Sequence, residues 1–318
     1  MRLSTVSRRM GAVIAGLTAA TAAVAQDRPV LGTPADGGIG FQPAATELAR
    51  DLQWLDGLLL VIITLITLFV LALIVTVIVR YNERSNPEPA KFTHNTPIEV
   101  AWTVIPIVIL VFIGSFSLPV LFKQQEIPEG DVIVKVTGYQ WYWGYEYPDE
   151  DIAFESFMID GSYKINDEAA GFGDDQELTD AQILNDAARA RLEYFGYDEN
   201  AFLLATDTAV VVPTGKTIVM QVTGADVIHS WTIPAFGVKQ DAVPGRLAEL
   251  WFEVEEGMEG VYFGQCSELC GISHAYMPIT VVAVTQSDYD AWLADARAAI
   301  EAGEIVPTPR SLTLASAQ

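Results

Sequence analysis

The chain has 318 residues, enough for one or two domains with a buried core, and 51% of them are apolar. Its formal net charge of −23 would repel the phosphates of nucleic acid, which argues against nucleic acid as a partner. The same charge fits a basic protein partner or simple solubility, and composition alone leaves both open.

Residues 1–25 are predicted to be a secretory signal peptide. Three arginines precede an apolar stretch that ends in the small residues Ala23-Val24-Ala25, the pattern of a cleavage site. The stretch is too short and too weakly apolar to span a bilayer. The mature chain is therefore predicted to be exported, and its Pro- and Gly-rich residues 26–50 predict an external N-terminal arm.

Two long apolar blocks predict a transmembrane helical hairpin within residues 51–125. Residues 58–79 are all apolar or Thr, and residues 100–122 are interrupted only by proline and small polar residues. Each block supplies the roughly 20 residues that cross a hydrocarbon core, where proline is tolerated if neighbours satisfy the freed carbonyl. The two predicted helices run over about residues 54–80 and 98–122.

Basic residues in the connecting loop predict the orientation of this hairpin. The loop contains Arg80, Arg84 and Lys91, and the positive-inside rule places such a loop in the cytoplasm. Both mature termini and the domain after the hairpin are then predicted to lie in the periplasm, on the outer face of a bacterial inner membrane. The export signal agrees with this orientation.

The chain after the hairpin predicts an all-β domain over residues 126–286. Five short runs rich in Val, Ile, Thr and aromatic residues are typical of strands, and Gly or Pro separates several of them. Short strands with no helices between them favour a sandwich or a barrel. The runs cover residues 131–137, 209–212, 217–222, 248–253 and 279–284.

Two segments depart from this β pattern. Residues 163–200 hold ten acids and three bases among helix-prone Ala and Leu, and they predict a surface insertion. The C-terminal segment 287–318 begins with a capping-box pattern, Ser287-Asp288-Tyr289-Asp290. It predicts a helix through about residue 302, followed by a tail.

Residues that can bind a soft metal are concentrated between positions 266 and 277. Cys266, Cys270, His274 and Met277 all fall within this stretch, and His229 lies upstream, followed by Ser and Trp. Thiolate and thioether ligands together with imidazole select copper over hard cations. A second cysteine one short loop away allows both sulfurs to bridge two copper ions, which can then share one electron hole.

Spacing alone leaves three other interpretations of this cluster open. In an oxidising compartment, two nearby cysteines form a disulfide by default. One cysteine with two histidines and a methionine would make a mononuclear blue-copper site. Zinc is a further candidate, although methionine is a poor zinc ligand.

The pattern Cys-x3-Cys-x3-His-x2-Met with an upstream His-Ser-Trp resembles the CuA signature of cytochrome c oxidase subunit II, of the bacterial aa3-type haem-copper oxidases. The order of helical hairpin, aromatic segment and copper domain resembles that family over essentially the whole mature chain. The resemblance implies a two-helix hairpin followed by a cupredoxin-like Greek-key domain. It also implies a respiratory function: accepting electrons from a c-type cytochrome and passing them to the haem-bearing catalytic subunit, for oxygen reduction coupled to proton pumping.

The resemblance implies partners and cofactors as well. The partners are subunits I and III, the c-type cytochrome and the lipid bilayer. The cofactors are two copper ions and a Mg or Mn ion shared with subunit I. The implied bridging thiolates are Cys266 and Cys270, and His229 and His274 supply one imidazole for each copper. The Met277 thioether is an implied weak ligand, and the Glu268 backbone carbonyl completes the set.

Three further residues receive roles from the resemblance, and each also has a plainer interpretation. The Glu268 carboxylate would help to hold the Mg or Mn ion, although a loop glutamate alone would be a solvated charge. Trp141, within the aromatic-rich residues 138–147, would receive the electrons, although aromatic residues in a strand are usually core. Glu99 would open a proton pathway (the K channel), although an acid at a helix N-terminus is also stabilised by the helix dipole.

Acidic residues near these loops are predicted to dock the cytochrome. The resemblance implies a patch opposite the lysines around the donor's haem edge, and such charge pairs speed encounter in a salt-dependent way. The acids of residues 163–200 are not assigned to it, since an acidic surface also serves solubility. The patch consists of Glu146, Asp151, Asp207 and Asp226.

Other functions explain fewer of these features. A quinol-oxidase-type subunit II has a similar build but lacks the copper ligands. A nitrous oxide reductase shares the copper motif but carries a long histidine-rich propeller, and this chain has three histidines. A copper chaperone or storage protein would need exposed, exchangeable ligands and no aromatic residue for electron entry. A copper-binding electron-transfer protein outside a terminal oxidase is a further alternative. Three histidines and two helices cannot bind two haems and a copper, so oxygen reduction itself belongs to a partner.

Overall fold

A computed structural model of the chain describes residues 29–165, 167–173, 176–178, 183–302 and 306. The predicted signal peptide and most of the C-terminal tail lie outside the described residues. The described chain begins with a short strand that joins the β domain, continues as a pair of long apolar helices, and then forms the rest of the β domain with a helical insertion and a C-terminal helix.

Helices α1 (Glu47–Arg80) and α2 (Thr96–Gln125) form an antiparallel hairpin. Near the start of α1, Trp54 contacts Phe116 in the second half of α2, with ring centroids 5.6 Å apart. Both helices are long and apolar enough to cross a membrane, and their apolar side chains point outward. Lipid or partner helices must cover these side chains in the assembled protein.

Both helices are longer than the sequence predicted, because capping residues set their starts. The side chain of Thr46 accepts a hydrogen bond from the Ala49 N–H at 3.0 Å, so α1 begins at Glu47, outside the apolar block. The side chain of Asn95 accepts from the Ile98 N–H at 3.3 Å and fixes the start of α2. Apolar length alone does not reveal these polar first turns.

The β domain consists of two main sheets and one two-stranded ribbon. One sheet has the order β1-β10-β11-β5, the other β4-β3-β2-β6-β9, and β7 pairs with β8. The order mixes parallel and antiparallel neighbours and is that of a cupredoxin-like sandwich, the predicted fold class. The strands are β1 Val30–Gly32, β2 Val132–Tyr139, β3 Tyr142–Tyr147, β4 Ile152–Ser156, β5 Val210–Pro213, β6 Ile218–Gly224, β7 His229–Ile233, β8 Val238–Ala242, β9 Ala248–Phe252, β10 Gly260–Gln265 and β11 Pro278–Val284.

Large aromatic side chains fill the core between the sheets. Trp143, Tyr145 and Tyr147 alternate along β3 with more exposed residues, as expected for a strand with one buried face. Trp231 on β7 stacks near Phe252 on β9, with ring centroids 6.2 Å apart. The aromatic-rich segment is therefore a core strand over most of its length, and only its first residues reach the metal-binding end.

The base of the β domain is joined to the hairpin by several polar contacts. The Thr46 hydroxyl donates to the Phe236 carbonyl at 2.8 Å, and Arg50 forms a bidentate salt bridge with Glu255. On α2, the Lys123 carbonyl accepts from the indole N–H of Trp251 at 3.2 Å. These bonds fix the orientation of the β domain relative to the long apolar helices.

The C-terminal helix starts earlier than the capping box predicted. Helix α4 runs from Gln286 to Ala302, because the Thr285 hydroxyl, directly after β11, accepts from the Asp288 N–H at 3.3 Å. Ser287 therefore lies within the first turn and is not the cap. Trp292 anchors the helix against Tyr147, with ring centroids 5.2 Å apart.

The predicted insertion at residues 163–200 is not wholly a surface feature. A helix, α3 (Asp186–Tyr194), forms in it, and Leu192, Phe195 and Tyr197 enter the hydrophobic core. Arg191 is only 2% exposed. The acidic composition of this segment did not indicate these contacts, because it holds few buried residues and many charged ones.

Arg191 joins the parts of this insertion. Its guanidinium donates to three backbone carbonyls, those of Tyr163 at 2.6 Å, Ala187 at 2.8 Å and Glu177 at 2.7 Å. It also lies 5.8 Å from the centroid of the Phe172 ring. Burial lowers the pKa of Arg191 from its ordinary value, against the attraction of nearby acids.

Arg191→Met is therefore expected to lower the free energy of unfolding by about 3 kcal/mol, because it leaves buried carbonyls without donors. The measurement is thermal or denaturant unfolding of the full chain in detergent. Arg189→Met is the matched control: Arg189 forms exposed ion pairs with Asp186 and Glu199, and its loss should cost less than about 1 kcal/mol. Equal effects of the two substitutions would contradict a structural role for Arg191.

Candidate metal centre

The predicted copper ligands lie at one end of the β domain, where strands meet loops. His229 is the first residue of β7, Cys266 directly follows β10, and Met277 directly precedes β11. Gln265 pairs with Pro278 across the β10–β11 hairpin. This pairing closes the loop of residues 266–277, here called the metal loop, which carries the remaining ligands. Regular strands thus fix both ends of an irregular loop.

Sulfur and nitrogen atoms of five residues, four in this loop and His229 on β7, lie close together. The Cys266 sulfur lies 3.8 Å from the Cys270 sulfur and 3.9 Å from Nδ1 of His229. The Cys270 sulfur lies 3.6 Å from Nδ1 of His274 and 3.5 Å from the Met277 sulfur. Both imidazoles therefore present the same nitrogen to the cysteine pair.

This donor set fits a soft metal. The cysteines are free, and their 3.8 Å separation is far longer than the roughly 2.05 Å of a disulfide. The ligand atoms of His229, Cys266 and Cys270 lie within 4.8 Å of one another, and the Glu268 carbonyl oxygen is 3.3 Å from the Cys266 sulfur. A metal about 2.3 Å from a thiolate can reach both sulfurs at this spacing. Two thiolates, imidazole and thioether are a donor set that suits copper.

The two cysteines differ in their readiness to ionise. Burial alone would raise the pKa of Cys266, but hydrogen bonds with His229, with the backbone at Glu268 and Ser230, and with His274 together outweigh it and lower the pKa to about 6. Burial, reinforced by the negative charge on Cys266, raises the pKa of Cys270 to about 12. Before metal binding the pair is therefore a thiolate beside a thiol, and a bound cation replaces the remaining proton.

His229 is held in place from two sides. Its Nε2 lies 2.9 Å from an Asp226 carboxylate oxygen, which directs Nδ1 towards Cys266 and fixes the tautomer that a metal needs. A Cβ on Gly138 would lie 2.8–2.9 Å from two atoms of the His229 ring, so only glycine leaves room for the imidazole there. Burial opposes ionisation of Asp226, but the hydrogen bonds from His229 and from nearby backbone N–H groups lower its pKa.

Comparison with known proteins decides the family of the chain. A model of the transmembrane domain of cytochrome c oxidase subunit II matches residues 34–120, and a model of its periplasmic domain matches residues 132–177 and 192–284. The cytochrome c oxidase subunit 2 of Cereibacter sphaeroides is 57% identical over 99% of this chain and 100% of that protein. The chain belongs to the cytochrome c oxidase subunit II family. It is thus a subunit of a haem-copper oxidoreductase complex, as the sequence predicted.

More distant members of the subunit II family also align. The probable cytochrome c oxidase subunit 2 of Rickettsia bellii is 42% identical over 84% of this chain and 87% of that protein. The periplasmic domain of subunit II from Bradyrhizobium japonicum is 38% identical, covers 54% of this chain and 97% of that domain, and has a TM-score of 0.39. The stretch that the family models leave unmatched in the β domain, residues 178–191, lies inside the predicted insertion.

In this subunit II, Trp141 lies directly beside the metal ligands. The side chain is half-buried, and its indole N–H donates to the Cys270 carbonyl at 3.3 Å. Trp143, two residues on, is fully buried, and its indole N–H donates to the Met277 carbonyl at 3.3 Å. The first tryptophan therefore reaches the surface over the metal loop, whereas the second supports the loop from inside.

Assignment of Asp207 to the docking patch is wrong, because Asp207 is 7% exposed. Its carboxylate accepts from the backbone N–H of Phe157 at 2.8 Å and of Thr208 at 2.7 Å, and from the Tyr163 hydroxyl at 2.7 Å. Burial raises its pKa, although these hydrogen bonds oppose that effect. Asp207 ties the insertion to the β domain and cannot meet a partner.

The other predicted site residues of subunit II are accessible to different degrees. Glu146 is exposed on β3 and pairs with Lys135 at 2.7 Å, and Asp151 is exposed in the β3–β4 turn with a φ of 53°. Glu99 is half-buried in the first turn of α2, where its side chain accepts from the Asn95 N–H at 3.1 Å. Asp226 is partly exposed beside His229, so it belongs to the metal centre as well as to the surface.

Proposed function

We propose that this subunit II binds two copper ions and uses them to accept single electrons from a c-type cytochrome, for delivery to the haem-bearing subunit I. The observation that supports the proposal most is the geometry of the cysteine pair. Two unbonded sulfurs 3.8 Å apart have an imidazole nitrogen on either side. When bound, the copper pair supplies a one-electron acceptor that changes its structure little.

Each ligand has a separate task in this proposal. Cys266 and Cys270 would hold the copper ions as shared thiolate ligands, and His229 and His274 would each supply an imidazole. Met277 and the Glu268 carbonyl would be the further, weaker ligands. Asp226 keeps His229 in the tautomer that leaves Nδ1 free, and burial of the thiolates excludes water from them.

The remaining proposed roles connect the centre to its partners. Trp141 receives the electron from the donor haem, and Glu146, Asp151 and Asp226 attract the donor's basic face. The Glu268 carboxylate contributes to a Mg or Mn site shared with subunit I, since hard cations prefer oxygen ligands. Glu99 opens a proton pathway into subunit I from the cytoplasmic side, and subunit III completes the complex. The hairpin lies in the bacterial inner membrane, with both mature termini and the copper domain in the periplasm.

Neutralising the exposed acids is expected to weaken cytochrome c binding mainly at low ionic strength. Glu146→Gln and Asp151→Asn should each raise the KM of the oxidase about two- to fivefold at low salt, because a surface charge pair contributes about 0.3–1 kcal/mol. The difference should vanish near physiological salt, where exposed charges are screened. The measurement is steady-state turnover of the assembled oxidase as a function of salt.

Asp207→Asn is the matched control for these variants, since its carboxylate is buried. It should leave the salt dependence of KM unchanged. If Glu146→Gln and Asp151→Asn behave like this control, neither residue is part of a docking face.

A further inference from the structure

The turn between β2 and β3, which consists of Gln140 and Trp141, is hydrogen-bonded to the backbone carbonyl of Cys270. The Gln140 side-chain amide donates to the Cys270 carbonyl at 2.9 Å, and the Trp141 indole N–H donates to the same oxygen at 3.3 Å. A carbonyl oxygen has two lone pairs and can accept both bonds. The indole bond is longer than the usual 2.7–3.2 Å range, whereas the amide bond lies at the preferred length. The amide is therefore the stronger link between this turn and Cys270.

Gln140 is also linked by hydrogen bonds, through Asp226, to His229. Its backbone N–H donates to one carboxylate oxygen of Asp226 at 2.7 Å, and the other oxygen of Asp226 lies 2.9 Å from Nε2 of His229. Hydrogen bonds to an ionised carboxylate are among the stronger ones in proteins. One residue thus connects the turn to His229 through its backbone and to Cys270 through its side chain.

The metal loop approaches this turn closely. Gly271 is exposed and has a φ of +124°, which favours glycine. A Cβ there would lie 3.1 Å from Nε2 of Gln140 and 3.1 Å from Cζ2 of Trp141. The loop backbone therefore packs directly against both side chains, so Gln140 and Trp141 share one contact surface with the backbone beside Cys270.

We propose that Gln140 is a positioning residue, which holds the Trp141 ring against Cys270 so that electrons pass efficiently from the ring edge into the metal centre. The inference rests on the proposed function, because it takes Trp141 as the point of electron uptake. One electron leaves the ferrous haem of the donor, which becomes ferric, and reduces the copper pair by one electron. Gln140 itself is neither oxidised nor reduced: it fixes the distance from the Trp141 ring to the metal centre, which the electron crosses.

The test is Gln140→Met in the assembled oxidase, since methionine keeps the length and volume of the side chain but has no donor. Electron uptake from a pre-bound, photoreduced c-type cytochrome should slow about five- to tenfold, as expected when one hydrogen bond that seats the ring is lost. The affinity for the cytochrome and the copper EPR spectrum should stay unchanged. Gln221→Met is the control, because Gln221 donates to Glu249 at 3.1 Å on the outer face of the domain, and it should have no effect.

Combining substitutions separates a positioning effect from a general one. If Gln140 acts through the indole, Gln140→Met together with Trp141→Phe should be no slower than Trp141→Phe alone. In the metal-free full chain labelled with 15N-tryptophan, Gln140→Met should also speed solvent exchange of the Trp141 indole proton, which is assigned by its absence in Trp141→Phe. This readout does not depend on activity.

Two results would overturn the inference. They are an unchanged uptake rate in Gln140→Met, whether or not the affinity for the cytochrome changes, and additive slowing in the double variant. Gln140→Asn keeps the carboxamide but is one methylene too short, so it provides the same test if the methionine variant fails to assemble. If Trp141→Phe itself leaves uptake unchanged, electrons do not enter at Trp141 and the premise of this inference fails, whereas normal uptake in Gln140→Met alone removes only the role of Gln140. Loss of the copper EPR spectrum from the unsubstituted chain would instead remove the proposed function.

Discussion

Trp141→Phe should slow electron uptake from cytochrome c on the order of 100-fold, while leaving the copper spectrum intact. The indole is half-buried, so one part of it can contact a donor while its N–H bonds to the Cys270 carbonyl. Phenylalanine removes the N–H and shortens the ring, and a misplacement of about 1 Å can cost this much in rate. The measurement is single-turnover kinetics with a photoreducible cytochrome in the assembled oxidase.

Trp143→Phe is the control for this prediction, because the two tryptophans are neighbours with opposite surroundings. Trp143 is buried and supports the Met277 carbonyl, so its loss should disturb the copper spectrum or the stability of the domain. If Trp141→Phe abolished the copper spectrum, Trp141 would be structural. If it left uptake unchanged, electrons would have to arrive at another residue.

Cys270→Ser should abolish electron transfer altogether. Cys270 lies within 4 Å of three other ligand atoms: the sulfurs of Cys266 and Met277 and Nδ1 of His274. A serine hydroxyl is a hard, protonated ligand near pH 7 and cannot replace a thiolate towards copper. The expected result is loss of paired copper, with at most one ion bound per chain, and no measurable uptake from cytochrome c.

Ser267→Ala in the same loop is the matched control for Cys270→Ser. The Ser267 hydroxyl donates to the Gln265 carbonyl at 3.3 Å, and its loss should leave copper content and uptake unchanged. Two coppers per chain in Cys270→Ser would contradict a bridging role for this cysteine.

The sequence was sufficient to predict the family, and to predict which residues come together in the candidate metal centre, because both depend on residue identity at fixed spacing. Cys266, Cys270, His274 and Met277 lie close together in the chain, so a short loop must bring them together in any fold. The strand runs were also visible, since Val- and Ile-rich segments such as β6 and β11 are buried along nearly their whole length.

Features that depend on long-range contacts could not be predicted from local pattern. Gln140 contacts residues 86 and 130 positions away in the chain, and no local signal marks it. Asp207 looks like a surface acid until the fold places Tyr163 and the backbone of Phe157 against it. Arg191 was hidden in the same way, because its partners are backbone carbonyls, which carry no sequence signature.

The most direct test of the copper assignment is metal analysis with electron paramagnetic resonance on the full chain, purified in detergent and loaded with copper. We expect two coppers per chain that share one unpaired electron, and therefore a seven-line hyperfine pattern from two equivalent nuclei. Binding of zinc, a four-line spectrum from a single copper, or a disulfide between Cys266 and Cys270 in the assembled oxidase would contradict the copper assignment.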